Sequence, residues 1–314
     1  MAVVTACKEL DMIDNLLVDI QGLTSYIAIH FLNGIPENVL DESYSDGRTI
    51  RDYQKHFEEQ GKLEDQILKD VKFVTGRTFW DRACILNKNT QINYFKNHRV
   101  LRESFYQEKY KWDYYKCEKH SILLSNGSYP LKGFHMVIPA VKQLAERYSD
   151  LAVNVAGPDP RVPDSHGEVT QYGSYISRLI HEYELEETIS FLGILKEEEM
   201  ARAFQRTNAF LAPSTIENSC NSLCEAMMLG VPSVAAFSGG IPELVSHGVD
   251  GFLYQQDAYY MATFFLDRIL KGEVDYEQMC ENAKRNALIR HGKNEIRDNT
   301  IRIYRNMTIK EGGK

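Results

Sequence analysis

SILLSNGSYPLKGFHMVIPAVKQLAERYSDLAVNVAG, residues 121–157, carries a strand, a helix and a second strand in one pass. SILLS (121–125) is a short apolar run of strand length. In FHMVIPAVKQLAERYS, Phe134, Val137, Ile138, Val141, Leu144 and Ala145 recur at i, i+3, i+4 and i+7, a spacing that predicts a helix with one buried stripe. LAVNVAG (151–157) returns to a strand. The same alternation continues downstream through the helix SYISRLIHEY, the strand TISFLG (188–193) and the helix EEEMARAFQRT, whose three opening glutamates suit the positive end of a helix dipole. Then come NAFLAPS (208–214), the helix LCEAMMLG, the strand PSVAAF, a short helix after Gly239-Gly240, the strand GFLY (251–254) and two or three last helices. About six βα units between His120 and Arg290 predict one doubly wound α/β domain, a parallel sheet with helices on both faces. In such sheets ligands bind beyond the carboxyl ends of the strands. The loops expected there are SNGSYPLKG (125–133), AGPDP (156–160), LGIL (192–195), STIENSCNS (214–222) and FSGGIPE (237–243).

The first 116 residues are less regular. IQGLTSYIAIHFLNG reads as an apolar helix ending at Gly34, KLEDQILKDV as an amphipathic helix, and KFVTG (72–76) as a strand. Thr78 and Asp81 in TFWDRAC form a capping-box pattern that opens another helix. One or two strands are expected here, and DESYSDG (41–47) is the clearest loop. Basic and aromatic residues interleave from Tyr94, Phe95, Lys96, Arg99 and Arg102 through Phe105, Tyr106, Lys109, Tyr110, Lys111 and Trp112. The reading preferred over a nucleic-acid contact is a packed interdomain connection with a solvated face. The expected division is 1–116 for an amino-terminal domain, 117–290 for the doubly wound domain, and 291–314 for a last helix packing back toward the first.

Composition narrows the function classes. Among 314 residues, 36 Lys plus Arg against 44 Asp plus Glu leave a net charge of −8, unsuited to a sequence-independent grip on nucleic acid or anionic lipid. A hydrophobic content of 43% is enough for a core in each of two domains. Cys7, Cys84, Cys117, Cys220, Cys224 and Cys280 show no CxxC pair and no disulfide-framework density, which suggests reduced thiols and a cytoplasmic location. No apolar run reaches the ~18 residues of a membrane span, and MAVVTACKELDMID lacks a signal-peptide layout. Peripheral membrane contact is compatible with this.

The chemistry concentrates in Glu217-Asn-Ser-Cys-Asn-Ser-Leu-Cys-Glu225, two carboxylates flanking seven residues across a loop-to-helix junction. Glu225 has a purely structural alternative, since Ser222-Leu-Cys-Glu225 before an apolar run is a capping box. The junction would also aim the free amides around Ser222 and Leu223 outward as an anion site. A carboxylate beside a phosphate site suits hydrogen bonds from neutral hydroxyls, such as sugar diols. Lys132, at the start of the first helix, could neutralise a diphosphate or be a solvated surface lysine. Cys220 and Cys224 with His247 could be imagined as a metal site; buried small residues are the preferred reading. There is no GxGxxG, no P-loop, no HExxH and no D-x-D.

ENSCNSLCEA is similar to the E-x7-E motif of retaining glycosyltransferases of family 4. PLKG, VAGPD, FLG, LAPS, EAMMLGVP, SGGIPELVSHGVDGFLY and the following Asp257 match that family's carboxyl-terminal domain in order, over roughly residues 117–270. The resemblance implies the GT-B architecture, two Rossmann-like domains facing a cleft, here with the amino-terminal one incomplete. It implies that Glu217 contacts the donor sugar, Glu225 the ribose hydroxyls and Lys132 the diphosphate. Backbone at Asn221, Ser222 and Leu223 would reach the phosphate, Gly193 to Leu195 would flank the base, and Asn126 and Gly157 complete the donor loops. Gly240 could approach a ligand or merely allow a tight turn, and Glu243 could cap a helix or touch the donor. Where the family commonly carries an Arg, five residues before the lysine, this chain has Gly127; Arg77 could substitute from across the cleft or serve a surface salt bridge. The expectation is metal-independent, cofactor-free, retaining transfer from a nucleoside diphosphate sugar, UDP favoured, to a glycan or lipid-linked acceptor. The alternatives are a non-catalytic nucleotide-sugar-binding fragment needing an amino-terminal partner, and a nucleotide-sugar epimerase of the same architecture.

Overall fold

Two parallel sheets organise the chain in the computed structural model, which describes residues 2–43, 47, 49–163 and 167–309. The amino-terminal unit runs α1 (Ala2–Glu9), β1 (Leu17–Asp19), α2 (Thr24–His30), α3 (Glu37–Leu40), α4 (Ile50–Asp70), β2 (Phe73–Gly76), α5 (Phe79–Lys88) and β3 (Asn93–Lys96). Its strands lie in the order β1-β2-β3, all parallel, with Leu17 opposite Phe73 and Phe73 opposite Asn93. Three strands therefore stand where one or two were expected. β2 is buried along its whole length and was legible as KFVTG. β1 is three residues long and β3 reads NYFK, so neither presents an apolar run. The helix expected over IQGLTSYIAIHFLNG forms only from Thr24 to His30; at the start of that stretch the Ile20 amide donates to the Thr75 carbonyl at 2.9 Å and so continues β1 along the sheet. α4 starts well before KLEDQILKDV, where the Asp52 carboxylate accepts from the Thr49 amide at 2.7 Å. Of the loop DESYSDG, residues 44–46 lie outside the described residues.

The second unit runs β4 (Ser121–Leu124), α6 (Phe134–Ala145), β5 (Ala152–Ala156), α7 (Gln171–Glu182), β6 (Ile189–Gly193), α8 (Glu197–Arg206), β7 (Ala209–Ala212), α9 (Asn221–Leu229), β8 (Ser233–Ala236), β9 (Phe252–Tyr254), α10 (Tyr259–Leu270) and α11 (Tyr276–His291). The sheet order is β6-β5-β4-β7-β8-β9, all parallel. Each strand expected in this region is present. Alternate residues serve two cores: Ile122 and Leu124 of β4 face one, Leu123 the other, and β7 does the same, which is why these two strands read as unbroken apolar runs. The chain builds outward from β4 on one side and then returns past it to β7. The loops after β4 and β7 consequently diverge and open a crevice at the carboxyl edge.

The connection between the units is packed on the second sheet's helices. Phe105 meets Phe204 edge-on at 6.0 Å between ring centroids, and the Trp112 indole donates to the Thr207 carbonyl at 2.6 Å. Phe105, Tyr110 and Trp112 are buried, while Lys109 and Lys111 are exposed. The last helix, α12 (Lys293–Ile309), returns to the first sheet: Ile303 and Met307 cluster with Phe73, and Asn97 donates to the Thr300 hydroxyl at 2.9 Å. No helix among the described residues is long and apolar enough to cross a membrane.

Candidate active site

The crevice between the loops after β4 and β7 continues toward the amino-terminal unit as a cleft of about 730 Å³. Lys132, Glu217, Glu225, Asn221, Ser222, Asn126, Gly157, Leu195 and Arg77 all line it, so most of the residues singled out in the sequence converge on one space. Gly193, Leu223 and Gly240 do not line it.

Lys132 ends a short 3-10 turn, Pro130–Lys132, and Gly133 then takes φ +66°. A Cβ on Gly133 would lie 2.0 Å from the Pro213 carbonyl oxygen, so only glycine lets the start of α6 press against the loop after β7. That approach brings the Lys132 ammonium to 2.5 Å from Glu217 Oε1, an oxygen that also accepts from the Ser214 hydroxyl at 3.1 Å. Burial pulls the ammonium's pKa down, but the attraction of Glu217 outweighs it and the net shift is upward. Lys132 is thus a largely buried, ion-paired cation, not a solvated surface lysine.

Glu217 is held from behind. The Gly240 amide donates to the Glu217 carbonyl at 2.8 Å, and a Cβ on Gly240 would stand 2.0 Å from the Asn218 carbonyl oxygen. Gly240 therefore supports the Glu217 loop from outside the cleft. Glu243 caps α5 of the other unit, accepting from the Phe79 amide at 2.5 Å and pairing with Lys96.

α9 starts at Asn221 with Cys220 as its N-cap; the thiol meets the Ser222 hydroxyl at 3.3 Å, and no side-chain oxygen caps the helix. The capping box expected from Ser222 to Glu225 is absent: Ser222 is already inside the helix, its hydroxyl accepting from that of Ser125 at 2.8 Å. Glu225 falls in the second turn. Its side chain is buried and receives a two-pronged grip from Arg102, Nε to Oε1 at 2.8 Å and a terminal nitrogen to Oε2 at 2.7 Å. Burial raises the Glu225 pKa; Arg102 opposes this, and the net direction is up. The amide groups opening α9 face the cleft, the arrangement of an anion site. The Leu223 side chain is fully buried in the core, so only its backbone is available there.

Around the rim, Asn126 Oδ1 accepts from the Ser128 amide at 2.7 Å and so shapes its own turn. The Gly157 amide donates to the Gly193 carbonyl at 2.8 Å, which sets the loop that presents Leu195 and the exposed Ile194. Arg77 is 3% exposed and donates to the Ile20 carbonyl at 2.8 Å and to Asp19 at 3.3 Å. It edges the cleft while tying β1 to β2, and it is no surface salt bridge. Burial lowers its pKa.

Several residues at the site escaped the sequence reading, three of them charged or polar groups with defined partners. Arg99 and Arg102 enter the cleft from the interdomain connection, and Asn218 bridges the units, accepting from the Thr78 hydroxyl and donating to Asp81, both at 2.7 Å. Arg102 belongs to a stretch whose basic residues looked solvated, and nothing local separates it from Lys109 or Lys111. Asn218 lay inside the quoted motif, without a signal for its partner 140 positions away. Cys220 and Cys224 are buried thiols, pushed up to about 12 and about 11 by burial. His247 instead accepts from the Leu253 amide at 3.0 Å beside Phe252 and Phe265.

Residues 107–286, more than half of the chain, match the family described as Glycosyl transferases group 1. The chain belongs to the group 1 glycosyl transferases. It is 23% identical over 175 residues to the glycosyltransferase MJ1607 of Methanocaldococcus jannaschii, a match covering 55% of this chain and 42% of that protein. It is 34% identical over 114 residues to the amylovoran biosynthesis glycosyltransferase AmsK of Erwinia amylovora, covering 33% and 28% respectively. The matches thus span less than half the length of these curated relatives. Among solved structures, Anabaena Alr3699/HepE in complex with UDP and glucose superposes with a TM-score of 0.66 at 17% identity, over 99% of this chain and 75% of that one. At that identity the likeness is one of fold. The group 1 glycosyl transferase described here thus has the GT-B architecture, with two Rossmann-like parallel sheets about a cleft.

Proposed function

We propose that this group 1 glycosyl transferase moves a sugar from a nucleoside diphosphate donor, a UDP-sugar in first place, to a glycan or lipid-linked acceptor, with retention at the anomeric carbon and without a metal. The observation that carries the reading is the pairing in one cleft of an uncapped helix amino terminus with Lys132, Glu217 and Glu225. Glycosyl transfer builds negative charge on the departing diphosphate and positive charge at the anomeric carbon, so groups fixed in place around both lower the barrier. Lys132 and the α9 amides suit the diphosphate. Glu217 suits the sugar and Glu225 the ribose hydroxyls. The chain carries a net −8, yet Arg77, Arg99, Arg102 and Lys132 line the cleft against Glu217 and Glu225, which favours an anionic ligand. HepE binds UDP and glucose in its own structure, and AmsK acts in amylovoran biosynthesis; both agree with this donor class and with a glycan acceptor.

Calorimetry and donor-hydrolysis assays with a panel of UDP-, GDP- and ADP-sugars, with and without a chelator, test the proposal. Binding of one donor class with chelator-resistant turnover is expected. No binding to any donor would sink the reading, and turnover abolished by the chelator would sink its metal-free mechanism.

A further inference from the structure

The cleft's most buried carboxylate is already occupied by a cation from the chain itself. Glu225 is fixed on α9 with its side chain 5% exposed, whereas Arg102 comes from the interdomain connection and keeps 42% of its side chain exposed. Both carboxylate oxygens accept from the guanidinium fork. A vicinal diol offers the same pattern, two adjacent donors that one carboxylate can take together. A ribose bound to Glu225 in the manner proposed above must therefore displace Arg102.

The displaced guanidinium has a nearby destination. α9 begins four residues before Glu225, about 6 Å along the helix axis, and its amino end carries no side-chain cap. The Arg102 guanidinium also lies 4.9 Å from the Phe105 ring centroid, a support that keeps the side chain near the cleft when it leaves the carboxylate. The loop after β4 supplies no equivalent cation, since Gly127 stands there, packed with its Cα side close to Val155 and Phe134.

We infer that Arg102 is a latch displaced by the donor: it neutralises Glu225 until a nucleoside diphosphate enters, when the ribose hydroxyls take over Glu225 and Arg102 moves onto the diphosphate. This rests on the nucleotide-sugar reading above. A nucleoside without phosphates must strip Arg102 from Glu225 and leaves the guanidinium no anion in exchange. A nucleoside diphosphate supplies both partners, so the latch makes the diphosphate a condition of ribose binding.

The test begins with calorimetry of the wild-type chain against UDP, GDP and ADP, followed by the nucleoside matching the diphosphate that binds, read by saturation-transfer NMR. Arg102→Gln is expected to weaken the diphosphate about tenfold or more and to leave nucleoside binding unchanged or tighter. Arg102→Lys keeps a cation beside the buried carboxylate but not the fork, and is expected to fold, to lose three- to tenfold for the diphosphate and nothing for the nucleoside; it carries the test if the Gln variant does not fold. A loss below twofold for the diphosphate, or an equal loss for both ligands, overturns the latch. If the wild type binds no diphosphate, the donor reading falls and the latch with it. Wild-type binding without the asymmetry removes the latch alone.

Discussion

Lys132 and Glu217 neutralise each other in the cleft, and the pair decides how substitutions there should read. Glu217→Gln keeps the shape and the Ser214 contact but removes the charge proposed above to face the reacting sugar, so turnover should fall more than donor affinity. Equal losses, in a comparison of kcat with donor Kd, would count against its place beside the sugar. Glu225→Ala should weaken donor binding by about ten- to a hundredfold, from two hydrogen bonds to a charged group. Unchanged affinity with lowered stability alone would mean that Glu225 serves only to hold Arg102. Asp81 is the residue on which the unit contact rests: it is fully buried and accepts from the Arg77 amide at 2.7 Å, Tyr94 at 2.5 Å and Asn218 at 2.7 Å. Asp81→Ala leaves those donors unpaired and should cost about 3 kcal/mol or more, read as a lower urea midpoint. The Thr78–Asp81 box was legible because a cap is a local pattern. Its further role toward Asn218 was not, since that partner arrives from the other sheet.

At the scale of elements, Gly240 and Trp112 set the geometry. Gly240→Ala drives a methyl group into the Asn218 carbonyl and must push the Glu217 loop, so stability and turnover should fall together. A stable variant with full activity would show that the loop position is immaterial to catalysis. Trp112 is buried and anchors the connection to α8 and α9 through Thr207 and Leu229, both by its own donors. Trp112→Ala should cost about 3–5 kcal/mol by denaturant titration, and Trp112→Phe clearly less. The inner strands β4 and β7 of the second sheet were legible because both faces of each are covered, giving the apolar runs SILL and AFLA. β1 and β3 were not, because LVD and NYFK become strands by pairing with β2, a non-local event that periodicity does not encode.

On the scale of the whole molecule, buried histidines link stability to pH. His135 is buried between the Asn33 carbonyl and the Tyr172 hydroxyl, and burial brings it down to about 4. His98 and His291 face each other at 5.7 Å where the two units join, brought down by burial to about 3 and about 4. In each case the unfolded chain binds the proton more readily than the native one. Their destabilising effect is absent above the ordinary histidine value near 6.5 and grows as pH falls toward 4. Each should remove up to about 1.4 kcal/mol per pH unit in that window. Urea midpoints should hold level from pH 7.5 to about 6.5 and decline from there to pH 5, above the range in which ordinary carboxylates titrate; a profile flat down to pH 5 would mean that these rings are solvated.

What the sequence determined by itself is the doubly wound sheet, its ligand edge and the residues from Lys132 to Glu225 that meet there, because helix stripes, apolar strand runs and loop composition are short-range properties. What only the tertiary structure decided is how those residues are partnered. Arg102 reaches Glu225 across 123 positions and Lys132 reaches Glu217 across 85, while Asn218 joins a helix cap of the other unit. Charges that look solvated in isolation become paired once the interdomain connection is wrapped onto the second sheet, since a buried carboxylate such as Glu225 is stable only beside a cation or a pair of donors.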